Sequence, residues 1–104
     1  MNVAESEPIL QIGQLVKIRR GRDAGNYAVV IRIENERFVW IADGDKRRFD
    51  RPKIKNVLHL QAFDSISSEV LSSIAQTNRV TNGKLRYAVN KFTELIEGQR
   101  KKGE

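Results

Sequence analysis

From Gln14 the chain changes between apolar and polar residues with a period of two. In QLVKIRRG, Val16 and Ile18 alternate with Lys17 and Arg19, which predicts a strand with one wet face. GRDAGN follows and predicts a turn, because Gly21 and Gly25 accept positive φ and Asp23 and Asn26 bond their own backbone. YAVVIRIE resumes as a second strand. After the polar break ENE, the β-branched and aromatic run RFVWIA predicts a third strand, closed by the turn signal DGD. Phe49, Ile54, Val57, Leu58 and Leu60 are spaced through residues 49–60 as two further short strands require, with Pro52 confined to a strand start, an edge or a turn. Five short strands at this spacing predict a small barrel.

After Phe63 the period changes. Ile66, Val70, Leu71, Ile74 and Ala75 fall near one helical face, with Asp64 or Ser65 available as an N-cap. RVTNG breaks this helix, and Thr81 or Asn82 caps a second in which Leu85, Ala88, Val89, Phe92, Leu95 and Ile96 share a face. Gly98 is expected to end it, leaving QRKKGE as a basic tail. The expected organisation is an N-terminal arm over residues 1–11, a barrel over 12–63, a two-helix extension over 64–97 and a tail over 98–104.

A chain of 104 residues suits one small domain, and zero cysteines exclude disulfides, thiolate metal sites and cysteine nucleophiles. No apolar run approaches a transmembrane length, and Glu5 and Glu7 stand where a secretory signal would be basic and then apolar, so a cytoplasmic location is expected. No catalytic constellation, metal-ligand set or cofactor motif emerges. The single histidine, His59, sits in VLHLQ as a structural or surface residue, and GRDAG lacks the GK of a nucleotide-phosphate loop. A non-catalytic protein is therefore expected.

Charge changes the picture more. Nineteen Lys and Arg oppose thirteen Asp and Glu, and residues 14–60 hold twelve of the bases against six acids. Lys17, Arg19, Arg20 and Arg22 cluster on the first strand and its turn, while Lys46, Arg47, Arg48, Arg51, Lys53 and Lys55 crowd the segment after DGD. In a small barrel both groups fit on one side. Arginine suits such a surface because its planar fork grips phosphate with two hydrogen bonds and stacks on bases, so nucleic acid and an anionic membrane surface head the expected partners. Tyr27, beside the turn, is the better candidate for stacking on a base, whereas Trp40, between Val39 and Ile41, reads as core or half-core.

QLVKIRRGRDAGNYAVVIRI resembles the KOW motif, the strand–turn–strand of small barrels in ribosomal proteins and NusG-type elongation factors. Val16 and Ile18 match its first apolar pair, Gly21 its turn, Gly25 its characteristic glycine, and Val29, Ile31 and Ile33 its returning strand; Ala28 departs from the second glycine of many KOW sequences. Over about half the chain the sequence also resembles the large-subunit ribosomal proteins of the fourteen-e, six-e and twenty-seven-e group. The resemblance implies an SH3-like five-stranded barrel, mainly β with two C-terminal helices, that binds ribosomal RNA or the large subunit. It also implies RNA contact at Arg19, Arg20, Arg22, Asn26 and Tyr27, with a backbone role for Gly21 and Gly25. The alternative is a protein-interaction module whose helix, residues 85–96, docks in a partner's groove. A membrane-surface role is disfavoured, since residues 83–97 carry three bases and two acids.

Overall fold

The computed structural model describes residues 9–102, with side chains through Gly98. The alternating segments form β1 (Gln14–Ile18), β2 (Tyr27–Ile33) and β3 (Phe38–Ala42), followed by β4 (Lys53–Asn56), a 3-10 turn (Val57–His59) and β5 (Leu60–Ile66). These strands make one antiparallel sheet in the order β4-β3-β2-β1-β5. Register shifts between Gln14 and Val16 and between Val30 and Arg32 add the local twist that curls a short sheet into an SH3-like barrel. Two helices follow, α1 (Ser68–Thr77) and α2 (Asn82–Lys102). The mainly β architecture with a helical extension is the one expected from the pattern.

Both faces of the sheet are buried. Val16, Ile18, Ala28, Val30, Val39 and Ile41 point into the barrel with Leu10, Val57 and Leu60. Leu15, Val29, Ile31 and Ala42 point the other way, under Val70 and Ile74 of α1 and Leu85, Ala88 and Phe92 of α2. The wet face expected for β1 is thus narrowed to Lys17, because the helices cover the rest. Full burial of side chains of this size contributes roughly 1.5–3 kcal/mol each, so docking the helices is a large share of the fold's stability. Ala28, the departure from the KOW pattern, packs its methyl inside the barrel opposite Val16.

Several boundaries differ from expectation. The barrel's last strand runs through Ile66, which pairs with Gln14, and the Ser67 N–H donates to the Gly13 carbonyl at 2.8 Å. This pairing holds the chain extended past Asp64 and Ser65, so Ser67 caps α1 by accepting from the Val70 N–H at 3.2 Å. Ile66 therefore belongs to the sheet, and Leu71 and Ala75 lie on the exposed side of α1. Phe49 and Leu58 also leave the strand pattern: Phe49 packs from a loop onto the helix-side core, and Leu58 is exposed in the 3-10 turn. Asn78, in the left-handed region at φ 60, ends α1. Thr81 caps α2 by accepting from Lys84 N–H at 3.2 Å. The helix continues through Gly98 to Lys102 instead of ending there. Of the arm expected over residues 1–11, residues 1–8 lie outside the described residues, as do residues 103–104 of the tail.

Candidate nucleic-acid interface

An antiparallel meander sends its first and third connections out of the same end, so the loops 19–26 and 43–52 are neighbours. The first is held by its own backbone. Ile18 N–H donates to the Asn26 carbonyl at 2.9 Å and Gly25 N–H to the Ile18 carbonyl at 2.7 Å, with Gly21 and Gly25 at φ 100 and 94. Glycine relieves the steric cost of those positive angles. Arg19 N–H donates to the His59 carbonyl at 2.9 Å, which pins the base of the loop to the 3-10 turn, while the Arg19, Arg20 and Arg22 side chains stay exposed.

The second loop is organised by Asp43, whose Oδ1 accepts from Asp45 N–H at 2.8 Å and Arg47 N–H at 2.9 Å. It is then latched to α2: Arg86 Nη1 donates to the Gly44 carbonyl at 2.7 Å, and Phe49 N–H donates to Asn82 Oδ1 at 2.7 Å. Gly44 has φ 82, and a Cβ there would overlap the Asn82 carbonyl oxygen. The helix therefore rests directly on the backbone of the loop. A close approach of this kind requires glycine.

Two contacts tie the basic segments together. Arg47 Nη2 lies 3.4 Å from Asp23 Oδ2, and Lys55 Nζ donates to the Arg20 carbonyl at 3.1 Å. Arg19, Arg20, Arg22, Arg47 and Lys55 thus share one end of the barrel, with Lys46 exposed on the adjoining turn. The Arg47 fork is shared with Asp23, whereas the three arginines of the first loop have no side-chain partner among the described residues. Lys53 and Lys55 are half-buried on β4, and Asn26 is half-buried at the loop's exit. Arg48 turns toward the α1–α2 junction, where it lines a hollow with Arg79, and Arg51 is exposed on the same loop.

Tyr27 and Lys17 sit elsewhere. Their pairing across β1 and β2 places both on the helix-side face, with Lys17 Nζ 5.6 Å from the Tyr27 ring centroid. The Tyr27 ring packs against Phe63 and Phe92 at centroid separations of 6.0 and 5.7 Å. That packing commits a half-buried ring to the core between sheet and helix. Trp40 is half-buried, and its Nε1 donates to Glu34 Oε1 at 2.9 Å. His59 is exposed.

Arg79 and Arg86 were not singled out by the sequence. Their placement depends on how α2 docks, a tertiary fact with no local signal, although Arg79 does follow immediately on the left-handed cap that turns the chain. No helix among the described residues is long and apolar enough to cross a membrane.

Comparison with known proteins agrees with this architecture. The model of the KOW motif matches residues 12–42, which span β1, β2, β3 and the two loops that join them. A Bacillus subtilis (strain 168) protein named "Putative ribosome-binding protein YbzG" is 42% identical over 71 residues, covering 68% of this chain and 96% of that protein. The chain carries a KOW motif on an SH3-like barrel and belongs to the same family as this Bacillus subtilis protein.

Proposed function

We propose that this chain is a non-catalytic cytoplasmic protein that associates with the ribosome by binding ribosomal RNA of the large subunit. The loops 19–26 and 43–55 form the contact surface. The observation that carries this reading is the joining of the two basic segments by the Arg47–Asp23 and Lys55–Arg20 contacts, beside first-loop arginine forks that have no partner among the described residues. Arginine forks on a backbone-braced loop suit phosphate, and they supply affinity and orientation without reading sequence. The relative named "Putative ribosome-binding protein YbzG" and the KOW motif support the ribosomal half of the proposal.

Purified large ribosomal subunits test it by pelleting with the full chain across a salt series. The expected result is binding that falls steeply with salt and is weakened by Arg19→Ala with Arg20→Ala at unchanged thermal midpoint. Binding that ignores both salt and the double substitution would refute it. The protein-interaction alternative through residues 85–96 is weakened by the docking of α2, since Leu85, Ala88 and Phe92 already cover this chain's own sheet.

A further inference from the structure

Phe49 stands between two hollows on the helix side of the molecule. One, of about 450 Å3, lies at the α1–α2 junction and is lined by Arg48, Arg79, Thr81 and Asn82. The other, of about 570 Å3, lies between α1 and the outer face of β2 and β3, with Arg32, Trp40, Pro52 and Ile74 in its walls. Phe49 and Asp50 border both. Each hollow holds an aromatic ring with a guanidinium over it: Arg79 Cζ is 5.8 Å from the Phe49 centroid, and Arg32 Cζ is 5.9 Å from that of Trp40.

These parts are braced. Trp40 is tied through Nε1 to Glu34, and the Phe49 backbone is tied to Asn82. The Arg79 carbonyl accepts from Ser73 Oγ at 2.8 Å and Thr77 Oγ1 at 3.1 Å, which fixes the stem of an exposed side chain. We propose that this trough binds unpaired nucleotides of RNA, one base in each hollow, stacked on the ring–guanidinium pairs. The proposal rests on the RNA-binding reading and extends it from phosphate contact at the loops to base contact beside them.

Three features favour this occupant. Rings layered with guanidinium groups offer flat, sequence-tolerant surfaces to a base. Three arginines outnumber two carboxylates, Asp50 in the lining and Glu34 on the Trp40 indole, so a polyanion is drawn to the trough. Asp50, shared by both hollows, repels phosphate from their interior while its oxygens can accept from the exocyclic amino groups of bases. The backbone is thereby left to Arg48, which is exposed in the wall of the first hollow on the same loop as Lys46 and Arg47. Tyr27, Phe63 and Phe92 form a separate aromatic cluster and line neither hollow.

Trp40 is the single tryptophan, so its emission reports on one hollow alone. The full chain is titrated with a fluorescein-labelled eight-nucleotide RNA of mixed sequence and with an abasic oligonucleotide of the same length. The RNA should change Trp40 emission and the abasic strand should not. Phe49→Leu should weaken RNA binding by about ten-fold, as expected for one lost base stack, and leave the abasic affinity unchanged, while Arg79→Ala, which also removes a charge, should weaken the RNA by clearly more than the abasic strand. Arg19→Ala with Arg20→Ala should weaken both strands. A thermal melt of Phe49→Leu checks its fold, and Arg79, being exposed, provides the second variant. Equal affinity for the two strands with silent Trp40 overturns the base trough and leaves the phosphate reading standing. A Trp40 response without any ribosome binding does the reverse. Polyglutamate that reproduces the Trp40 change at equal affinity also overturns the trough.

Discussion

Gly44→Ala is expected to destabilise the protein far more than an exposed turn substitution usually does. Gly44 has φ 82, so any side chain there meets the left-handed penalty of about 1–2 kcal/mol. The added methyl would also overlap the Asn82 carbonyl oxygen and approach the Arg86 nitrogen to 2.9 Å. Both are backbone atoms in the first turns of α2 and cannot rotate away. Relief requires moving the helix, which loosens Leu85 and Phe92 on the sheet and disturbs the Arg86–Gly44 and Phe49–Asn82 bonds. Overpacking of this type costs about 1–3 kcal/mol, giving a total near 2–5 kcal/mol. The midpoint should fall by roughly 10–25 °C in a domain of this size. Gly25→Ala is the internal control, because Gly25 has φ 94 but nothing within 4 Å of an added Cβ, so it carries the backbone penalty alone. Thermal denaturation followed by circular dichroism compares the two. Equal losses for the two variants would refute the direct seating of α2 on the β3–β4 loop.

Other substitutions separate the roles assigned to individual residues. Phe92→Asp should unfold the protein, since Phe92 is 8% exposed in the helix-side core, while Leu95→Asp, at 57% exposure, should leave the unfolding free energy within about 0.5 kcal/mol; chemical denaturation reads both. Gly98→Ala should stabilise by up to about 1 kcal/mol in the same assay, because Gly98 lies inside α2 with open space around its Cα. Asp23→Asn should change stability by less than about 1 kcal/mol, as the Arg47 pair is partly exposed, yet release the Arg47 fork and tighten RNA binding in a filter assay. Arg19→Ala with Arg20→Ala should reduce the slope of log affinity against log salt by roughly 1–2, read from the same assay across a salt series.

The meander was legible because period-two alternation and turn glycines are local signals, and β1, β2 and β3 fall where QLVKI, YAVVIRI and FVWIA place them. The covering of the sheet's second face was less visible, although the unbroken apolar run of β2, Ala28 to Ile31, is the mark of a strand buried on both sides. Ile66 read as helical because its spacing to Val70 fits a helix, and pairing with Gln14 overrides that spacing. Gly98 read as a stop, yet an isolated glycine costs only about 1 kcal/mol inside a helix and ends one only when φ turns positive.

At the candidate interface, closeness in sequence anticipates the shared exposure of the first-loop arginines but not the half-burial of the Tyr27 ring. Tyr27 adjoins the turn along the chain, but its register opposite Lys17 turns the ring under α2. The approach of Arg47 and Lys55 to the first loop follows from chain topology and could be anticipated only as a shared side. Arg79 and Arg86 required the docking of α2 to be known.

Photocrosslinking tests the central claim most directly. A photoreactive residue replaces Arg22 or Lys46 at the loop end, or Tyr87 or Leu95 on the exposed side of α2, and each full-length variant is irradiated with large ribosomal subunits. Adducts to ribosomal RNA from positions 22 and 46, with little from 87 and 95, are the predicted result. Adducts from 87 and 95 alone, or crosslinks from 22 and 46 that run only to protein, would contradict it.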